Sequence, residues 1–426
     1  MNPMTELGKR IIVALRLALL PMALGALVSC NTDKLLEVDA PTRIPAENLE
    51  SPASAALLVN GALGDFECAL GMHIVTGAIL GDEMADAQLG AAGWPLDRRD
   101  MATGDAYGTS GCGSNQTPGS YISVSVARWA ADNMLTKLQA WTDQEVVRRD
   151  SLLALAANLA GFSLTMLATD FCSAALDLGP EVQPAALFAL AEQRFTTALD
   201  AATRANTQTL LNAARVGRAR VRLFTNKKTE AAADARAVPA GFAWNASAAS
   251  VNTRRQNRVF AVNNFSRFYT IEPLSRTLMT AGVADPRTAV ISTSGNRAAD
   301  GTQLWEQTKF RALTDAIPIA SSDEAQLIVA EAEGGSSAVT ILNALRTRAS
   351  LPALSAAETA TLQQTLIEER RKELWMEGHR MYDIIRFNIP QLPAAGTAFV
   401  RGGFYGNIKC LPLPDIERFN NPSIGR

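Results

Sequence analysis

Residues 367–387 read IEERRKELWMEGHRMYDIIRF and put ten formally charged side chains into twenty-one residues of a chain that is only 19% charged. Ser355-x-x-Glu358 ahead of the stretch fits a capping box, and Gly378 is placed to stop a helix, so the pattern predicts one helix over about 356–377. On that helix Glu369, Glu373 and Glu377 fall on one face, with Arg370 in reach of Glu373 at i+3. Such carboxylates resemble the acid/base pair of a glycosidase. Flanked by Arg370, Arg371, Lys372 and Arg380, they are instead expected to be held ionised by their partners. The stretch therefore reads as a structural charge network.

Upstream the helical pattern continues. Ser321-x-x-Glu324 is a second capping signature and Gly334 a second stop, predicting helices over about 322–333 and 337–348. Further back, Leu152, Leu155, Leu159, Phe162, Leu164, Leu167 and Phe171 follow the steps of a buried helical face. Leu187, Leu190, Phe195 and Leu199 mark a helix from about Ala185 to Arg204. Leu210, Leu211, Ala214, Val221 and Leu223 mark a third, and Glu230 to Arg236 a short fourth. Two consecutive helix pairs within 150–237 are similar to tetratricopeptide units, although that repeat's exact consensus is missing and an unrelated helical bundle would give the same period. The fold expected is mostly α, with helix pairs at 150–237 and 321–378 in a single domain over 47–426.

Between these blocks, 84–120 and 238–318 are rich in Gly, Ser, Asn, Thr and Pro without sustained periodicity. Irregular stretches of that length inside an ordered chain are usually functional or disordered. Aromatic residues are scattered through them, and an aromatic in a loop either pins the loop to the core or faces a ligand. "GWPLDRRD" combines Trp94 as a flat platform, Asp97 as acceptor, and Arg98 and Arg99 as donors. Tyr107 and Trp305 are the expected partners on composition. The competing reading makes Trp94-Pro95 a hydrophobic plug and pairs Asp97 with Arg98.

The first residues carry a different signal. Lys9, Arg10 and Arg16 precede an apolar run from Leu17 to Val28 that ends in Leu27-Val28-Ser29-Cys30. The run is short for a bilayer span and suits a signal peptide over 1–29, and the last four residues match the lipobox at which bacterial lipoproteins are cleaved and acylated on cysteine. The sequence thus predicts a lipid-anchored chain with a tether over 30–46. Since no later apolar run of about twenty residues stands out, anchoring is expected rather than spanning. Cys68, Cys112, Cys172 and Cys410 remain, an even number suited to disulfides outside the cytoplasm. Cys68–Cys112 is the expected pair, because a cross-link there would restrain "GTSGCGSN"; free buried thiols are the alternative.

Composition excludes some functions. A net charge of −2 without long basic runs offers no field for phosphates, so no nucleic-acid partner is expected. With His73 and His379 as the only histidines, and no C-x-x-C, HExxH, GxSxG or phosphate loop, neither a metal site, a cofactor nor a catalytic centre is expected.

The charged stretch also carries a family resemblance. Glu369-Arg370-x-x-Glu373-Leu374-x-x-Glu377-Gly378-x-Arg380-x-x-Asp383-x-x-Arg386 resembles the C-terminal signature of the SusD/RagB family of outer-membrane nutrient-binding lipoproteins. Ala330-Glu331-Ala332, the set Asn343, Arg346 and Arg348, and "LPLPDIERFNNP" at 411–422 are similar to that family's elements in the same order. The resemblance implies a surface lipoprotein that binds a glycan, oligosaccharide or peptide and passes it to a TonB-dependent transporter of the SusC type. Helix pairs would face that transporter and the loops would build the pocket, while Glu369, Arg370, Glu373, Glu377, Arg380, Asp383 and Arg386 would be scaffold. A tetratricopeptide-type surface scaffold for a protein partner is the second expectation, and an enzyme the third.

Overall fold

A computed structural model describes residues 50–424; the leader, Cys30 and the tether through residue 46 lie outside the described residues. Residues 52–426 form one compact unit. Its frame is a series of helices: α1 (Ala55–Leu80), α2 (Tyr121–Ala140), α3 (Arg149–Asp170), α4 (Pro184–Arg204), α5 (Gln208–Phe224), α6 (Lys228–Arg236), α7 (Ser322–Glu333) and α8 (Gly335–Arg348). Each helix packs on the next in this order, including α6 on α7, although more than eighty residues of chain separate those two. The array is the helical, tetratricopeptide-like fold. Two more helices, α9 (Leu362–Glu373) and α10 (Arg380–Arg386), close its C-terminal side.

Helix contact is close because small residues alternate with large ones. Phe195 of α4 meets Phe162 of α3 edge-on at 4.8 Å, and a Cβ at Gly161 would lie 2.8 Å from the Phe195 ring. Any larger residue at 161 would push α3 and α4 apart. Helix α3 lies almost wholly inside the protein, and α1 does so over its second half. They are in fact long and apolar enough to cross a bilayer, contrary to the expectation that no such run follows the leader. With 78% and 89% of their most apolar stretches buried, they are core helices whose apolar surface faces other helices. Helix α1 is not marked by a clean apolar stripe, because it is buried on nearly all sides over its second half.

The two irregular regions leave the array at its seams. One lies between α1 and α2, the other between α6 and α7. They contain short strands that join them: β1 (Met84–Asp86) from the first pairs antiparallel with β3 (Tyr269–Ile271) from the second, Met84 opposite Ile271 and Asp86 opposite Tyr269. A second ribbon, β2 (Ala243–Ala246) with β4 (Ile317–Ser321), zips the second region at its base, where its two ends meet α6 and α7. Cysteines add cross-links, Cys68 to Cys112 with Cα atoms 5.8 Å apart and Cys172 to Cys410 at 5.1 Å.

In place of the single helix expected over 356–377 stand two helices and a turn. Ser355 and Glu358 form the full capping box, but it starts a helix of only five residues, Ala356–Ala360. After a break at Thr361, α9 runs to Glu373, and a turn with Met376 and Gly378 at positive φ leads into α10. Gly378 has φ +84, and a Cβ there would meet the His73 ring at 2.6 Å, so glycine is required at this turn. Glu377 therefore lies beyond the helix and does not share a helical face with Glu369 and Glu373. At the other capping signature Ser321 accepts the Glu324 N–H at 3.2 Å, while the Glu324 carboxylate turns away to Arg220 of α5.

Candidate functional site

The charged stretch competes with the loops for the role of site. Arg346 of α8 donates to Glu369 at 2.8 and 2.9 Å and to Glu358 at 2.6 Å. Arg287 donates from Nη1 to Glu369 and Glu373, both at 2.9 Å. Arg370 pairs with Asp383, Arg386 with Asp383 and Glu331, Arg380 with Asp82, and Lys309 with Glu377. Arg370 thus turns to Asp383 rather than to Glu373 as the i+3 spacing suggested. Each acidic member is matched by a cation, and the Arg370 and Arg386 guanidiniums hold the Asp383 carboxyl below the usual range against the opposing effect of burial. A groove of about 620 Å³ runs past this network, but its Arg287, Lys309 and Arg348 are paired with Glu373, Glu377 and Asp323. His73 is likewise committed, its Nδ1 bonded to Asp170 at 2.8 Å.

A second pocket, of about 710 Å³, has a different character. It lies on the β1–β3 ribbon and takes residues from four distant stretches: Trp94 and Asp97, then Glu272 and Arg276, then Asp300 and Trp305, and finally Phe399, Arg401 and Tyr405. Trp94 opens a one-turn helix, Trp94–Asp97, whose Pro95 suits a first turn. Its indole N–H donates to Gln88 O at 3.3 Å, which leaves the ring half-buried at the pocket wall. Trp305 is fixed by its backbone, which donates to Thr270 Oγ1 at 3.0 Å and accepts from Ile271 N–H at 3.2 Å. Arg276 stacks on Trp305 at 4.8 Å from the ring centre, and Arg401 approaches Trp94 at 5.7 Å.

The floor is acidic. Asp97 accepts the Asp86 N–H at 2.9 Å, and burial pushes its carboxyl up to about 8, helped by the neighbouring Asp86 and Glu272. Burial also raises Glu272 to about 7 and Asp86 to about 6. Arg401 donates to Asp86 O at 2.6 Å and to Asp300, tying the 398–404 hairpin over the ribbon.

Of the residues expected in the site, Trp94, Asp97 and Trp305 line one pocket although 211 positions separate the tryptophans. Tyr107 does not: it is 2% exposed and its hydroxyl donates to Pro412 O at 2.8 Å, a core role. Arg98 points away and pairs with Asp100 at 2.8 Å, not with Asp97. Arg99 lies beneath the pocket, donating to Leu392 O at 3.1 Å and stacking on Tyr405 at 4.8 Å. Glu272, Arg276 and Arg401 were missed. Of these, Arg401 carried a local signal, the two glycines of "FVRGGFY" that mark a hairpin tip between aromatics.

Residues 324–409 match the sequence model of the SusD family. No curated protein matches the chain. Among solved structures, a SusD superfamily protein from Bacteroides vulgatus is similar with a TM-score of 0.64 at 17% identity, covering 88% of this chain and 100% of its own. A laminarin-binding SusD-like protein gives 0.64 at 16% identity over 88% and 98% of the two chains. Surface glycan-binding protein A from Bacteroides uniformis gives 0.64 at 15% identity over 86% and 98%. At these identities the likeness is one of fold. The chain has the SusD fold, and the segment 324–409, which includes the charged stretch, is similar in sequence to the SusD family.

Proposed function

We propose that this protein is a cell-surface lipoprotein that captures a glycan in the pocket between Trp94 and Trp305 and delivers it to a SusC-type TonB-dependent transporter in the outer membrane. The observation that carries the reading is the pocket itself: two tryptophans and a tyrosine beside buried acceptors and two arginines, on the SusD fold. A sugar presents apolar C–H faces with a polar rim, and such a surface is complementary to flat aromatic walls with a few directed polar groups. Two of the similar structures, a laminarin-binding protein and a surface glycan-binding protein, support a glycan over a peptide. The lipobox at Cys30 supports the anchor and the polar tether supports exposure away from the bilayer. The exposed side of the helix pairs would face the transporter.

Titration of the purified mature chain against a panel of soluble oligosaccharides and peptides tests the reading, with reducing-end release followed in parallel. Saturable binding of a glycan without release of products is expected. A protein partner bound without affinity for any glycan would favour the tetratricopeptide-type scaffold. Raised carboxyls such as Asp97 are also what a glycosidase acid requires, so turnover would move the reading to an enzyme.

A further inference from the structure

The charges in the tryptophan pocket do not balance. Asp300 is paired with Arg401, and Asp86 accepts the Gln88 N–H at 2.8 Å and its side-chain amide at 3.3 Å. Asp97 receives one bond, to Oδ2, from Asp86 N–H. Glu272 is 9% exposed and lines the pocket, yet its carboxylate has no hydrogen-bond or ion-pair partner among the described residues. The charges that act on it are Arg276 from its own turn, Asp82 from the end of α1, Arg99 from the floor, and Asp97 across the ribbon. Arg99 is spent on the Leu392, Pro393 and Gly406 carbonyls, and Arg276 gives its Nε to Ile271 O at 2.9 Å with its plane on Trp305.

A buried carboxyl without a partner destabilises the site that holds it, and a ligand that brings the missing positive charge relieves this. A bare metal ion does not fit, since among the described residues no three acidic, histidine or cysteine groups converge closely enough to hold one. The charge that fits is carried on an organic group, and the tryptophan walls attract an ammonium on a ring as well as the ring's C–H face.

We infer that this pocket selects oligosaccharides bearing free primary amines, glucosamine units rather than neutral or N-acetylated ones, with the Glu272 and Asp97 carboxylates receiving the ammonium N–H groups. The inference rests on the glycan reading and narrows it. The upward displacement of both carboxyls agrees with it: burial disfavours their charged forms by more than the neighbouring arginines restore, and an ammonium bonded to them would favour those forms.

The test is calorimetric titration of the mature chain with three probes of equal length: a glucosamine oligomer, its N-acetylated form and a β-linked glucose oligomer. The amine oligomer is expected to bind about tenfold more tightly than the others, as charge-assisted hydrogen bonds require. Its advantage should shrink in high salt. Glu272→Gln, nearly isosteric, should erase the difference. Equal binding of the three probes, or an advantage that survives both high salt and Glu272→Gln, overturns the inference. Binding of the neutral oligomers alone overturns it and leaves the glycan reading standing, whereas binding of none of them removes both.

Discussion

Arg370 reaches across a turn to Asp383, thirteen residues on, donating from Nε and Nη2 to the two carboxylate oxygens at 3.1 and 3.3 Å, with both side chains buried. The same carboxylate accepts from Arg386 at 2.7 Å, and Arg386 continues to Glu331 of α7. One acid thus ties α9, α10 and α7 together.

Replacing that acid leaves the buried Arg370 with only a longer contact to Glu331 at 3.7 Å, while Arg386 keeps Glu331 alone. Asp383→Ala should destabilise the protein by ~3 to 5 kcal/mol, the range for breaking a buried pair. Denaturant melts measure it, and the folded fraction should retain its ligand affinity. Lost binding with an unchanged midpoint would place this network in the site.

Trp94 is held by its indole N–H on Gln88 O and Trp305 by its backbone on Thr270 and Ile271, all within the loop regions. Alanine at either position should weaken glycan binding by ~1 to 3 kcal/mol while moving the melting temperature little. A large fall in melting temperature with unaltered affinity would make Trp94 a plug.

Acidity should act on stability in two directions. Glu83 and Asp97 are raised to about 8 and Glu272 to about 7, all chiefly by burial, so the folded state holds their protons more tightly than the unfolded chain does. Their contribution is complete below the unfolded value of about 4 and is lost as pH rises through 7 to 8. Glu358 is lowered to about 2, above all by Arg346, and Asp383 and Asp285 are also lowered, so their contribution is lost as pH falls below about 4. Melting temperature should therefore peak on the mildly acidic side and decline toward pH 8. Asp97→Asn should flatten the decline, and a wild-type profile that rises toward pH 8 would contradict the argument.

Cys172 and Cys410 join residues 238 positions apart, and their neighbours are already tied by Leu411 N–H to Asp170 O at 2.8 Å and Cys172 N–H to Leu411 O at 2.9 Å. A link that closes so long a loop restricts the unfolded chain more than a short one does. Cys172→Ser with Cys410→Ser should cost ~2 to 5 kcal/mol, read as a lower denaturant midpoint. An unchanged midpoint would mean that the backbone bonds alone secure the C-terminal segment.

Helices α4 to α8 were legible because a one-sided apolar stripe or a cap is a local property of a few turns. Ser321 marked the start of α7 and Gly334 its end, and Ser355 the five-residue helix ahead of α9. The break at Thr361 and the turn at 374–378 were not, since Glu377 continues the four-residue spacing, whereas in the fold it sits in a turn with Met376 and Gly378 at positive φ and pairs with Lys309, 68 positions away. Helix α1 escaped for the opposite reason: it is apolar nearly all round and has no stripe to read.

By itself, the sequence determined the helical class, the charge-network role of residues 369–386 and the resemblance they carry, because periodicity, caps and the spacing of opposite charges are written along the chain. Only the tertiary structure decided what the loops do. Trp94 and Trp305 come together because β1 and β3 pair across the two irregular regions, and Tyr107 leaves the site because Pro412, 305 positions away, offers its hydroxyl a carbonyl. Glu272 acquires its character from the packing around it: burial limits its hydration, and both Arg276, four residues on, and the distant Arg99 are engaged with other groups.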